Sequence, residues 1–204
     1  RLMLDSMAEH SESNTIHKEA MRAIINLQFE LPMKKQAVRL GAIEAILNSM
    51  ESNDDSAADW KLHMEALRCL FNLLYQYAPA KDKIFECTGI NQICNSMKRF
   101  GCHSEDLMLY GFEALAILAI AGEKFRAEMR FQGVQDLANE AKAHKDGPGN
   151  AKLWLRASEV EGLLKGQAPL SRVRSEGKGA VWFEKQVLPL GHIIKSLETR
   201  VQAS

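Results

Sequence analysis

An all-α fold built from stacked copies of one helical unit is predicted by three observations. A Glu-Ala segment followed by apolar residues recurs at intervals of 46 and 48 residues. A glycine-led segment recurs between those copies at intervals of 48 and 44 residues. Nothing in the chain reads as strands, because the apolar residues recur every three or four positions rather than every second one. Self-similarity at such a period marks a repeat architecture, in which a unit buries its apolar face only against its neighbours.

The elements follow in chain order. Leu4-Asp5-Ser6-Met7 matches Leu47-Asn48-Ser49-Met50 and Cys94-Asn95-Ser96-Met97. The first nine or so residues are therefore expected to be the later part of a glycine-led helix whose start precedes Arg1, so the chain is read as beginning mid-protein. Glu19-Ala20-Met21-Arg22-Ala23-Ile24-Ile25-Asn26-Leu27 then opens the second family. Its matches are Glu65-Ala66-Leu67-Arg68-Cys69-Leu70-Phe71-Asn72-Leu73 and, more loosely, Glu113 to Ala121. In the middle copy Ala66, Leu67, Leu70, Leu73 and Leu74 fall on one broad helical face, which must be buried. Pro32 and Pro79 mark equivalent corners, since proline cannot continue a helix but suits the first turn of the next. Gly41, Gly89 and Gly133 are predicted to turn a short helix into a longer one through positive φ. Residues 51–56 and 101–105 read as loops, and residues 156–164 as a half repeat.

The order short helix, glycine, middle helix, polar loop, long helix with Glu-Ala and a terminal Asn-Leu, then a break, resembles an armadillo repeat. The resemblance covers residues 1–164 and implies a right-handed α-α superhelix of about three to four repeats, the first truncated. After Leu164 the pattern breaks. Residues 165–180 read as a basic linker containing glycine, serine and proline. Residues 181–204 read as an amphipathic helix carrying Phe183, Val187, Leu190, Ile194, Leu197 and Val201 on one stripe. That helix is expected to cap the repeats, to dimerise, or to fold back into the groove.

In armadillo proteins the longest helix of each repeat lines a concave groove, and the resemblance gives Asn26 and Asn72 the role of gripping an extended peptide. An amide suits this because it pairs with a peptide N–H and C=O together. Nuclear-import members carry tryptophan four residues before that asparagine, where this chain has Arg22, Arg68 and Ala116. A lysine-rich ligand is thereby disfavoured, and two arginine forks suit carboxylates or phosphates instead. The expected groove comprises Lys18, Arg22, Asn26, Lys61, Arg68, Asn72, Gln76, Phe112 and Ala116. Two plainer readings stand beside it. The arginines pair with Glu19, Glu65 or loops as solvated charges and the asparagines cap their helices. Phe112 and Ala116, with Gly111 and Ile120, pack inside the fold.

Lysine plus arginine and aspartate plus glutamate both total 26, so no global field favours phosphate backbones, and nucleic acid is not an expected partner. The four cysteines read as reduced thiols of the cytosol or nucleus. Cys94, Cys102 and His103 lack paired zinc spacing. No phosphate loop, His-Glu-x-x-His or Gly-x-Ser-x-Gly occurs, so neither an enzyme nor a cofactor is expected. No apolar run approaches the roughly 20 residues that cross a bilayer. The expected function is a protein-interaction scaffold holding an acidic or phosphorylated peptide. The alternative is a structural or regulatory module that self-associates, or packs on other domains of its parent protein, through the repeat ends and the C-terminal helix.

Overall fold

The computed structural model describes residues 1–27, 31–52, 59–143 and 150–169. These residues form eleven α-helices, with no strand among them. The helices are α1 (Leu2–Glu9), α2 (Asn14–Leu27), α3 (Leu31–Arg39), α4 (Ala42–Ser52), α5 (Trp60–Leu74) and α6 (Ala78–Glu86). They continue with α7 (Gly89–Phe100), a 3-10 turn Gly101–His103, α8 (Glu105–Ala121), α9 (Glu123–Phe131), α10 (Val134–Ala143) and α11 (Asn150–Leu164). The chain divides into two units, Arg1–Gln167 and Ala168–Ser204. The second is described only at residues 168 and 169, so the helix expected at 181–204 and most of the linker lie outside the described residues.

Within the first unit the helices group in threes. The sets α3–α5, α6–α8 and α9–α11 are each short, middle and long, and α1–α2 supply a middle and a long member. Long helices pack in chain order, α2 on α5, α5 on α8 and α8 on α11, and middle helices do likewise, α1 on α4, α4 on α7 and α7 on α10. The last set differs from expectation. In place of a half repeat there is a full helix α11, preceded by α9 and α10. Its signature is worn away in the sequence, because Val160 and Gly166 stand where the alanine and asparagine of the other copies would fall.

Burial follows the predicted stripes. In α5, Leu62, Ala66, Leu67, Leu70, Leu73 and Leu74 are all buried, while Lys61 in the first turn and Tyr75 just past the end stay outside. The α8 helix is buried more widely, at Leu107, Phe112, Ala114, Leu115, Ala116, Leu118 and Ala119, because it is clasped by α5 on one flank and α11 on the other. Its start is fixed by Ser104, whose hydroxyl accepts from the Leu107 N–H at 3.3 Å, with Glu105 and Asp106 in the first turn where the helix dipole favours them.

At two of the three predicted glycine corners the backbone is left-handed, with φ +88° at Gly41 and +74° at Gly133. The third is shifted by one residue. Thr88 takes the positive φ of 55°, and Gly89 begins α7. Glycine is required there for another reason, since a β-carbon would collide with the Ile84 side chain and lie 3.0 Å from its carbonyl oxygen.

Two buried histidines explain the recurring Asn-Ser-Met segment. His17 on α2 bonds through Nε2 to the Met7 carbonyl of α1 at 3.0 Å and through Nδ1 to the Ser49 hydroxyl of α4. The carbonyl requires an N–H at Nε2, so in the neutral ring Nδ1 accepts from the serine. His63 on α5 repeats the link with Ser96 on α7 at 3.0 Å and lies 4.4 Å from the Phe100 ring. Each histidine ties one set to the next. At the third junction the equivalent positions are Gly111 and Ala141, and the link is absent together with both of its partners. Gly111 instead lets Met97 approach so closely that a β-carbon would strike its sulfur.

Candidate functional site

The candidate surface is the exposed side of the long helices α2, α5 and α8, which pack in that order. At its centre is a carboxylate that the sequence reading gave to the arginines as a solvated partner and that the structure buries. Glu65 is buried, and its Oε1 accepts from Arg22 Nε at 2.9 Å. Arg22 Nη1 also donates to Glu19 at 2.7 Å. The hydrogen bond and charge of Glu65 hold the Arg22 guanidinium above its ordinary pKa. Arg68 approaches the same carboxylate less closely, with Nη1 3.7 Å from Glu65 Oε2, beyond hydrogen-bond distance.

A mirror-image arrangement joins the last two long helices. Arg156 of α11 donates from Nε to Glu113 of α8 at 2.7 Å and from Nη1 to Glu159 at 2.5 Å. Burial pushes the Glu113 carboxyl up, against the pull of Arg156. Burial likewise works against the Arg156 charge, but the two carboxylates outweigh it and its pKa is raised. Glu19, Glu65, Glu113 and Glu159 thus recur at intervals of 46, 48 and 46 residues; Glu65 and Glu113 join neighbouring long helices, while Glu159 holds Arg156 within α11. That periodicity was the available signal for Glu159 and Arg156, which sequence reasoning missed.

The nine predicted groove residues divide clearly. Arg22 and Arg68 converge on Glu65, with side chains 50% and 42% exposed. Asn72 is half-buried and its Nδ2 donates to the Arg68 carbonyl one turn earlier at 2.9 Å, a bond to its own helix of the kind the plainer reading expects. Asn26, the equivalent residue on α2, is exposed. Lys18 is half-buried, and Lys61 is exposed with its ammonium 5.5 Å from the Trp60 ring centre. Gln76 is exposed just beyond α5 and donates to the Tyr75 hydroxyl at 3.3 Å. Phe112 and Ala116 belong elsewhere. They are 0% and 3% exposed, inside the α8 packing, and cannot meet a ligand without unfolding the helix around them. Ile120, which stands on α8 where Asn72 stands on α5, is 47% exposed.

Between α5 and α8 the Tyr110 ring lies 6.4 Å from Phe71, and burial raises its hydroxyl pKa while Arg68 opposes that rise. The face therefore carries cations and amides on α2 and α5, and changes to an aromatic and an aliphatic side chain on α8. Among the described residues no group of three or more His, Cys, Asp or Glu side chains is placed to hold a metal ion. No helix among them is long and apolar enough to cross a membrane. No protein family, curated protein or solved structure matches this chain.

The end of α11 carries its own charge cluster. Glu161 accepts from Lys142 of α10 and from Lys165 at 2.6 Å, and these hydrogen bonds hold its carboxyl down at about 2. A depressed folded pKa gives stability that is present above the ordinary 4.5 and is lost as pH falls toward about 2. Glu161→Gln is expected to cost about 1 kcal/mol at pH 6, a modest figure because water screens the partly exposed ammonium groups. Urea unfolding across pH 6 to about 2.5 checks it: the gap between variant and parent should close as the acid limit is approached.

Proposed function

We propose that the chain is an armadillo-type scaffold whose long helices α2, α5 and α8 together hold an extended polypeptide with acidic character. The observation that carries the reading is Arg68. It is 42% exposed, stands beyond hydrogen-bond distance of Glu65, and neighbours the half-buried amide of Asn72 on the same helix. A cation beside a main-chain clamp is what an acidic peptide needs, because the amide holds the chain without regard to sequence while the guanidinium selects charge. The ordered packing of the long helices supports repetition of the clamp at Asn26. An interaction scaffold also agrees with the balanced net charge.

Selection from a random peptide library on the intact chain tests this. Peptides enriched in aspartate or glutamate are expected, with binding weakened at least tenfold by Asn72→Ala. Enrichment no better than a blank surface would sink the proposal. The second reading, self-association through the ends of the row, draws on Phe131 and Trp154, which are 84% and 49% exposed on the last set of helices. Sedimentation at low micromolar concentration separates the two, a stable dimer favouring self-association.

A further inference from the structure

We propose that the polypeptide held on this face presents one carboxylate side chain to Arg68 and, three residues away, an aliphatic side chain to Ile120. The inference rests on the peptide-binding reading above and deepens it by naming the partner's chemistry and spacing.

The charge comes first. Arg22 is already engaged by two carboxylates, Glu65 at 2.9 Å and Glu19 at 2.7 Å. Glu65 accepts from Arg22 at Oε1 alone; among the described residues its buried Oε2 accepts no hydrogen bond and pairs by charge with Arg68 at 3.7 Å, so Arg68 spends no donor on it and keeps its N–H groups for a ligand. Two guanidiniums already balance the two carboxylates, so a single carboxylate that accepts from Arg68 adds the least negative charge. A phosphate dianion would bring more negative charge than the cluster can offset, with Glu19 and Glu65 both nearby. Aspartate or glutamate is the fitting ligand group.

The apolar partner follows from the next helix. Ile120 occupies on α8 the position of Asn72 on α5, and α8 packs directly on α5. It is 47% exposed although it is among the larger aliphatic side chains of that helix, and the Arg68-equivalent beside it is a buried alanine, Ala116. Nor is a free charge supplied by Glu113, which Arg156 holds at 2.7 Å. A ligand crossing from α5 to α8 thus leaves a cationic and amide surface for an aliphatic one.

Spacing comes from geometry. Packed helix axes lie about 8–10 Å apart. A polyproline-II segment repeats every three residues and advances about 9.3 Å in that repeat, which returns a side chain to the same side at the next helix. A β-strand would put residues three apart on opposite sides. Arg68 stands one turn before the Asn72 level, about 6 Å along the helix, and the combined reach of arginine and an acidic side chain spans that offset.

The peptides selected on the intact chain are the probe. Aligned, they are expected to carry Asp or Glu three positions from Leu, Ile, Val or Met. A synthetic peptide of that pattern should lose about tenfold in affinity on insertion of one residue between the two anchors. Arg68→Ala should erase the preference for the acid and Ile120→Asp the preference for the aliphatic residue. Both positions are exposed enough to spare the fold, and helical circular dichroism and melting confirm that it is kept. Peptides that depend on Asn72 but show no such spacing, or bind Arg68→Ala unchanged, overturn this inference and leave the scaffold reading standing. Enrichment of phosphoserine over glutamate in a matched peptide pair also overturns it. Peptides indifferent to Asn72 remove both.

Discussion

Replacing Phe112 with alanine is expected to destabilise the fold by about 4 kcal/mol, the range for deleting a fully buried aromatic ring. Phe112 is 0% exposed on a helix held between α5 and α11, so little collapse into the vacated space is available. In a domain of this size about 4 kcal/mol corresponds to a fall in melting temperature on the order of 10 °C. Ile120→Ala, just over two turns further along the same helix, should move the melting point by less than about 1 °C, because the side chain is already half in water. Differential scanning calorimetry of the two variants makes the comparison. Similar losses for both would mean that α8 is not oriented as described. The contrast also separates packing from recognition on one helix, since Phe112 governs whether α8 is held and Ile120 what it presents.

Arg156→Ala is the second large expected loss, about 3 kcal/mol in urea unfolding at pH 7. Removing one partner of a buried ion pair strands the other charge, and here two carboxylates are stranded together. Glu159 and Glu113 have side chains only 3% and 15% exposed, and the partial exposure of Arg156 itself keeps the figure at the low end. The pH dependence has a definite sign. Burial already raises the Glu113 pKa above 4.5, so the folded chain keeps a proton that the unfolded chain has released. Its cost to stability is absent below the ordinary carboxylate range and appears as pH rises through the raised value. Without Arg156 that value climbs further. The deficit of the variant should therefore be greatest near neutrality and shrink as pH falls toward about 4.5. A deficit that is flat with pH would show that the arginine acts through packing of its stem.

The sequence made the helices legible where two signals coincided. The Glu-Ala and glycine-led segments placed α5, α7 and α8 because the apolar period and the punctuation agreed. Where one signal was lost, so was the reading. The start of α11 carries no glycine or Glu-Ala signature, and residues 150–155 were passed over, although Leu153 is buried. At Thr88 the expected left-handed glycine was displaced, since the glycine nearby was needed for clearance at Ile84. The site was legible in part. Arginine and asparagine one turn apart on an exposed helix stood out, but that Arg22 is claimed by Glu65 depends on two residues 43 apart meeting across neighbouring helices. Glu113 and Arg156 are also 43 apart, with the charges in the reverse order. A carboxylate in a helix ordinarily reads as solvated, and only the repeat of that interval distinguishes the buried ones.

The set α3–α5 has matching ends. It offers Ser49 and Glu65 toward the residues before it and His63 toward those that follow, in the position from which His17 reaches forward, and it carries Arg68 at the position of Arg22. A duplicate of that stretch, spliced in behind the original, would meet its predecessor as a bolt meets its own thread. Lengthening this molecule by tandem duplication is thus open in the middle, and closed beyond Gly111, where the fittings change.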